Sequence, residues 1–283
     1  MKHTLVVVVA ATLTAGCGGT APAPSTTTAE ATSTATSKAA KPTATDDESG
    51  AMVVTYEDAT TPEASKGRDL MERTHFLDDL AASVTESFRL PFDVPVVGTE
   101  CGEANDYWNV EEKKLVMCYE DVDESIRVFT EAGDPNPDDT ARRIGIASFF
   151  HELGHMAIDI YDLPVTGREE DVADQLSAYE LLSPDDDGKV DEDYVQAARD
   201  IAREYTVLSD EGGELEKEAF ADVHTLDQAR AYNFECWIYG SDPKANADIV
   251  ENGSLPEDRA EGCEEEWGQL TRGWGTLLEP HLR

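Results

Sequence analysis

The stretch Phe149-Phe150-His151-Glu152-Leu153-Gly154-His155-Met156 decides how the rest of the chain is interpreted. It contains H-E-x-x-H within an apolar run. Residues four apart share one face of a helix, so His151 and His155 can direct two imidazoles at one point. Glu152 lies beside the pair, where it can serve as a base for a metal-bound water. The motif therefore predicts a helix with two metal ligands and one acid–base residue.

The residues around the motif predict that this helix is buried. A helical pattern runs from about residue 140 to residue 160, and its apolar side chains surround nearly the whole circumference. A helix that is apolar on all sides is normally buried. Two histidines and a glutamate inside such a helix need polar partners, because unpaired burial costs several kcal/mol. A bound metal dication would be that partner.

A third metal ligand is predicted shortly after the helix. Catalytic zinc takes three protein ligands and keeps one position open. The extended pattern H-E-x-x-H-x-x-G-x-x-H is excluded, since Ile158 and Tyr161 stand where it needs Gly and His. The other pattern takes a Glu from a following helix with an Asp four residues on, and residues 170–174 read E-x-x-A-D.

Glu170 and Asp174 share one helical face. Glu170 can therefore bind the metal while Asp174 accepts a hydrogen bond from the far nitrogen of a ligand histidine. Glu169 and Asp171 point elsewhere and are poorer candidates. The alternative is a charged first turn favoured by the helix dipole.

Other segments predict a small sheet and several helices. Short strands are expected at 52–56, 94–100, 107–110 and 114–119, from their β-branched and aromatic content. Helices are expected at 62–89, from about 168, and at 191–208, 215–239 and 259–278. His75 lies within the first of these and is interpreted as a packed core or boundary residue.

The charge of the chain limits its partners. It has 283 residues, with 60 acidic and 22 basic side chains and a formal net charge of −38. Such a field repels nucleic acid and anionic lipid, so no nucleic-acid partner is expected. A solvated acidic surface is favoured over an acidic site for a cationic partner.

The five cysteines divide into one and four. Cys101, Cys118, Cys236 and Cys263 form an even set, which in an exported protein suggests two disulfides. Three pairings are possible, and closeness in sequence favours Cys101–Cys118 and Cys236–Cys263. A cysteine-rich metal site is the weaker alternative, because the chain has no C-x-x-C.

The N-terminal residues predict export. Residues 1–17 combine a basic start, an apolar run and small residues before Cys17, as in a signal peptide with a lipoprotein lipobox. Thr14 stands where a lipobox usually has an aliphatic residue, so plain secretion is the alternative to lipid attachment at Cys17. Residues 18–50 are almost only Ala, Thr, Ser, Pro and Gly and predict a flexible tether. A domain is expected at 51–283, on the outer face of the cell membrane.

Several segments together resemble a bacterial family of predicted metallopeptidases of gluzincin type, long classed as a domain of unknown function. The resemblance covers about residues 53–283. It rests on segments 101–105, 117–120, 150–155, 163–171, 226–230, 236–243 and 255–259. It implies an α+β fold, with a mostly helical, zincin-like domain beside a small, mainly antiparallel sheet.

The resemblance also implies a zinc peptidase. Zinc would lie on His151, His155 and Glu170, with Glu152 as general base. A further donor should stabilise the oxyanion. His224 is favoured for that role over Arg230, Tyr232 and Tyr239, which belong to the same predicted helical region.

Two other functions remain open. One is a non-catalytic extracellular binding or scaffold protein with a structural or vestigial metal. The other is a non-peptide amide hydrolase with a cysteine ligand, which export and the expected disulfide at Cys101 disfavour.

Overall fold

The computed structural model describes residues 50–185, 187–212 and 217–283. The predicted signal peptide, Cys17 and all of the predicted tether except Gly50 lie outside these residues. Gly50 already belongs to the folded part, because its N–H donates a hydrogen bond to the carbonyl of Leu90. No helix in the described part of the chain is both long and apolar enough to cross a membrane.

Four strands form one mixed sheet. They are β1 (Met52–Tyr56), β2 (Val94–Thr99), β3 (Tyr107–Asn109) and β4 (Lys114–Cys118), in the order β1-β2-β4-β3. The sheet lies beside a much larger set of helices, so the predicted α+β class is confirmed.

The prediction of a mainly antiparallel sheet is wrong. Strand β2 pairs in parallel with both β1 and β4, and only β3 and β4 run antiparallel. Parallel neighbours need a crossover connection, which the two helices between β1 and β2 provide. Strand β4 then inserts between β2 and β3, so only the β3–β4 hairpin keeps the antiparallel direction.

Ten helices accompany the sheet in the described residues. They are α1 (Pro62–Thr74), α2 (Phe76–Ser87), α3 (Tyr119–Glu131), α4 (Pro137–Tyr161), α5 (Glu169–Leu182), α6 (Glu192–Glu211), α7 (Asp227–Ser241), α8 (Asp248–Glu251), α9 (Glu257–Ala260) and α10 (Cys263–Leu278). Two short 3-10 helices lie at Lys217–Ala221 and Glu279–His281.

Helix α4 lies at the centre of this arrangement. It packs against α3, α5 and α6, and Ile144, Phe149 and Leu153 along it are buried. The apolar side chains that the sequence predicted around this helix therefore pack against neighbouring elements. Glu152 of the motif is buried on this helix, and the side chains of His151 and His155 are only 12% and 15% exposed.

Two predicted helices are shorter than expected. The segment 62–89 breaks at His75, whose φ of 55° caps α1 with a hydrogen bond from its N–H to the Met71 carbonyl. A left-handed residue cannot continue the helix, and the His75 side chain is exposed rather than packed. Further on, α7 begins only at Asp227, because the N–H and side chain of His224 both bond the Asp222 carboxylate in a local turn.

Two disulfides tie the ends of elements together. Cys101 is joined to Cys118, with Cα atoms 5.6 Å apart, and Cys236 is joined to Cys263, with Cα atoms 5.1 Å apart. This is the pairing that closeness in sequence favours. The first crosslinks the chain after β2 to the end of β4, and the second holds α7 against α10.

The β3–β4 hairpin is fastened to α4. Asp159, in the last turns of α4, accepts hydrogen bonds from the Trp108 indole at 2.8 Å and from the Lys113 ammonium at 2.7 Å. Strand β3 is an edge of the sheet. These bonds therefore hold an unpaired strand edge close to the helix that carries the H-E-x-x-H motif.

Candidate metal centre

Helices α4 and α5 approach closely at the motif. Helix α4 ends at Asp162, which has a φ of 51°, and the chain then folds back into α5. A Cβ built on Gly154 would lie 2.8 Å from the Cα of Ala173, closer than real side chains allow. Gly154 therefore permits the contact that brings the first turn of α5 beside His151 and His155.

Three donor atoms converge at this contact. The Oε2 atom of Glu170 lies 3.2 Å from Nε2 of His151 and 3.3 Å from Nε2 of His155, and the two imidazole nitrogens are 3.2 Å apart. A tetrahedral ion with ligands at about 2.0 Å has ligand–ligand distances of roughly 3.3 Å. The three predicted ligands thus form one face of such a tetrahedron, and they are the group in the described residues that could hold a metal.

Asp174 contacts the ring nitrogen of His151 that faces away from the site. Its Oδ1 atom lies 2.8 Å from Nδ1 of His151. That contact places the ring proton on Nδ1, which leaves Nε2 free as a metal ligand. The sequence predicted this supporting position for Asp174.

Glu169 holds the second histidine, contrary to the prediction that it points elsewhere. Its Oε1 atom lies 2.9 Å from Nδ1 of His155, and its side chain is half exposed. The one signal in the sequence was its place directly before Glu170. Each candidate histidine ligand therefore has its own carboxylate on the nitrogen that faces away from the site.

Arg230 supports Asp174 rather than the cleft. Its guanidinium donates two hydrogen bonds, of 2.8 and 2.7 Å, to the Asp174 carboxylate and stacks on the Tyr205 ring. Burial alone would raise the pKa of Asp174, but the Arg230 charge and the His151 contact lower it to about 2. Asp174 is thus held as an anion, as its role beside a metal-ligating histidine requires.

Glu152 has an oxygen without a partner. Its side chain is buried, with 5% exposed, and no protein group bonds its Oε2 atom. Burial raises the pKa of Glu152, while the neighbouring His151 and His155 and the backbone N–H of Trp108 oppose that shift. An unpaired buried acceptor beside three convergent ligands is where a water on a bound metal would donate a hydrogen bond. The residues present therefore fit a catalytic metal.

His224 reaches the same site from the loop before α7. Its Nε2 atom lies 3.2 Å from Oε2 of Glu170, and its Nδ1 atom lies 3.1 Å from the Asp222 carboxylate. Arg168, directly before α5, donates to the carbonyls of Asp222 and His224 and so fastens this loop. Of the four predicted oxyanion candidates, the structure brings His224 to the cleft and leaves Tyr232 and Tyr239 out of its lining.

The site opens into a cleft of about 610 Å³. The cleft is lined by β3, by the motif on α4, by the start of α5 and by the loop at 222–224. The three ligands thus face open space rather than a fourth protein ligand. An open position of this kind distinguishes a catalytic metal site from a structural one.

The family model described as "Putative metallopeptidase" (DUF4344) matches residues 56–278. The chain belongs to this family. No curated protein and no solved structure matches it. Membership in the DUF4344 metallopeptidase family confirms the resemblance predicted from the sequence, and it indicates a metal-dependent hydrolase.

Replacing Asp174 should weaken metal binding by the protein. In Asp174→Asn, His151 loses its anionic partner and zinc affinity is expected to fall roughly 10- to 100-fold. Competition titration against a zinc indicator measures the change. Asp171→Asn, on the same turn of α5, is the control and should bind as wild type. Equal affinity in the two variants would contradict the supporting role of Asp174.

A second cavity lies behind the candidate metal centre. It has a volume of about 170 Å³, and its lining includes the carboxyl groups of Asp106, Asp121, Glu152 and Glu204. Burial, followed by the charges of neighbouring acids, raises the pKa of Asp121 to about 6 and that of Glu204 to about 8. Ser125 donates a hydrogen bond to Glu204. Asp121 and Glu204 are therefore neutral carboxylic acids at mildly acidic pH.

These carboxyls should make the protein less stable at high pH. Between about pH 4 and pH 8 the folded state binds more protons than the unfolded chain, so stability falls as the pH rises through that range. Glu204→Gln keeps an acceptor for Ser125 and should raise the unfolding free energy at pH 8 by about 4 kcal/mol, with little gain at pH 4. Urea unfolding at both pH values measures this, and the exposed Asp210→Asn on α6 is the control. A gain at pH 8 no larger than that of the control would contradict the assignment.

Proposed function

We propose that the chain is an exported, membrane-tethered, zinc-dependent peptidase. The observation that carries this proposal is the convergence of His151, His155 and Glu170 beside a buried Glu152 with an unpaired oxygen. Two imidazoles and one carboxylate form the donor set typical of catalytic zinc, whereas Mg²⁺ and Ca²⁺ prefer all-oxygen sites.

Each residue of the site then has a task in hydrolysis. Zinc bound by the three ligands would supply a Lewis acid and would lower the pKa of water toward 7. Glu152 takes a proton from the attacking water and passes it to the nitrogen of the leaving amine. His224, fastened by Arg168 beside Glu170, is placed to donate a hydrogen bond to the oxygen that gains charge on the scissile carbonyl.

Both alternatives fit the site less well. A scaffold with a structural metal should close its ion with four protein ligands, whereas these ligands face an open cleft. An amide hydrolase with a cysteine ligand needs a free thiolate near the motif. Cys101, Cys118, Cys236 and Cys263 are all in disulfides.

A diverse peptide library tests the proposed activity. We expect mass spectrometry to find new termini after incubation with the zinc-loaded protein, and none after treatment with a chelator. A library that stays intact with zinc-loaded, folded protein would refute the peptidase proposal.

Attachment to the cell membrane rests on Cys17. A lipid on this residue, followed by residues 18–50 as a tether, would hold the peptidase at the outer face of the cell membrane. Cys17→Ser should move the protein from the membrane fraction to the medium in a cell-fractionation experiment. Wild-type protein recovered only from the medium would favour secretion without an anchor.

A further inference from the structure

Exposed apolar side chains cluster around the cleft. Large apolar residues exposed in the described part of the chain are Val53, Phe92, Tyr107, Val110, Phe220 and Val223. Tyr107, Val110 and Val223 line the cleft, and Phe220 precedes Val223 by three residues. Val110 is 58% exposed and Val223 is 66% exposed. Apolar surface gathered at one cavity is typical of a ligand-binding surface.

An unpaired strand edge runs along the same cleft. Strand β3 pairs with β4 on one side only. Tyr107 and Trp108 of β3 line the cleft together with His151 and Glu152, so β3 runs beside the motif. A free edge offers main-chain donors and acceptors to a chain in extended conformation. The ligand that fits this edge is therefore an extended peptide.

The charge around the cleft selects among peptides. The Glu169 and Asp222 side chains at the cleft are 51% and 58% exposed. Arg168 is the one Lys or Arg among the described residues that line the cleft, against five acidic residues in the same lining. The whole chain carries a formal net charge of −38. A field of this sign concentrates cationic ligands at the surface and repels anionic ones.

We propose that the substrates are cationic peptides that bind in extended conformation along β3 and place apolar side chains against Val110 and Val223. This inference rests on the proposed peptidase function and adds the class of substrate. The reaction adds one water across the C–N bond, so the products are a carboxylic acid and an amine. The many acidic residues then attract the cationic substrate in addition to keeping the protein soluble.

The preference for cationic peptides is tested with three peptides that share an apolar central sequence and differ in their flanking residues. With flanking Lys, Gln or Glu, we expect kcat/KM at low salt to fall in that order, by roughly 10-fold or more from Lys to Glu. At about 1 M salt the three values should converge, because the Debye length is then about 3 Å. Equal values at low salt would overturn the inference and leave the peptidase proposal standing. Failure to cleave any peptide, including a neutral library, would overturn both.

Two valine variants test the apolar part. Val110→Ser and Val223→Ser should each raise KM for the Lys-flanked peptide roughly three- to ten-fold, with kcat nearly unchanged. Val53→Ser is the matched control, because Val53 is 47% exposed on β1, at the opposite edge of the sheet. An unchanged KM in both cleft variants would overturn the apolar contact.

Discussion

Glu152→Gln is expected to abolish peptide hydrolysis while the protein keeps its metal. Gln has the same shape as Glu but cannot take a proton from water. The loss of a general base typically lowers kcat about 10²- to 10⁴-fold. Glu152 is not among the three ligands, so one zinc per chain should remain. Steady-state cleavage and elemental analysis on the same sample measure both quantities.

The control for this variant is Glu111→Gln. Glu111 is an exposed glutamate in the turn between β3 and β4, and its replacement should leave kcat within about two-fold of wild type. A Glu152→Gln protein with full activity would remove Glu152 from the mechanism. A variant that is inactive because it has lost its metal would instead assign Glu152 to the metal ligands.

Glu170→Ala is expected to remove both metal and activity. The Glu170 carboxylate contacts His151, His155 and His224, and these contacts lower its pKa well below the usual range although burial opposes the shift. Loss of an outer-shell partner typically weakens metal binding by up to about 100-fold. Loss of a direct ligand should therefore weaken it more.

The effect of Glu170→Ala should exceed that of Asp174→Asn, while Asp171→Ala should bind zinc as wild type. Zinc affinity, measured by competition with a chelator, gives this order directly. Wild-type affinity in Glu170→Ala would exclude it as a ligand. Glu169, which contacts Nδ1 of His155, would then be the next candidate for the third position.

Local rules account for the parts of the site that the sequence predicted. His151 and His155 are four residues apart on one helix, as are Glu170 and Asp174, and such pairs share a face wherever the helix lies. The pairing of the four cysteines likewise followed their closeness in sequence. These features needed no knowledge of distant contacts.

The features that sequence reasoning missed depend on distant contacts. Glu169 reaches His155 only because Gly154 lets α5 approach α4. Arg230 holds Asp174 across a separation of 56 residues. The spacing of apolar and polar residues along the sequence does not predict such contacts.

The direction of the strands is a similar case. A strand of three to six residues does not show which neighbour it will pair with. The parallel pairing of β1 with β2 instead reflects the crossover of α1 and α2 between them, and β4 runs parallel to β2 while β3 runs antiparallel to β4. The sequence therefore predicted the four strands, but it did not predict which neighbouring strands run parallel.

Zinc titration of peptide cleavage tests the central claim most directly. Metal-free protein is mixed with increasing zinc, and the cleavage rate of one susceptible peptide is followed. From the proposed function we expect no cleavage without zinc and a rate that rises in proportion to zinc until one equivalent per chain is bound. Cleavage by the metal-free protein at the full rate, or no cleavage at any zinc level, would contradict the account.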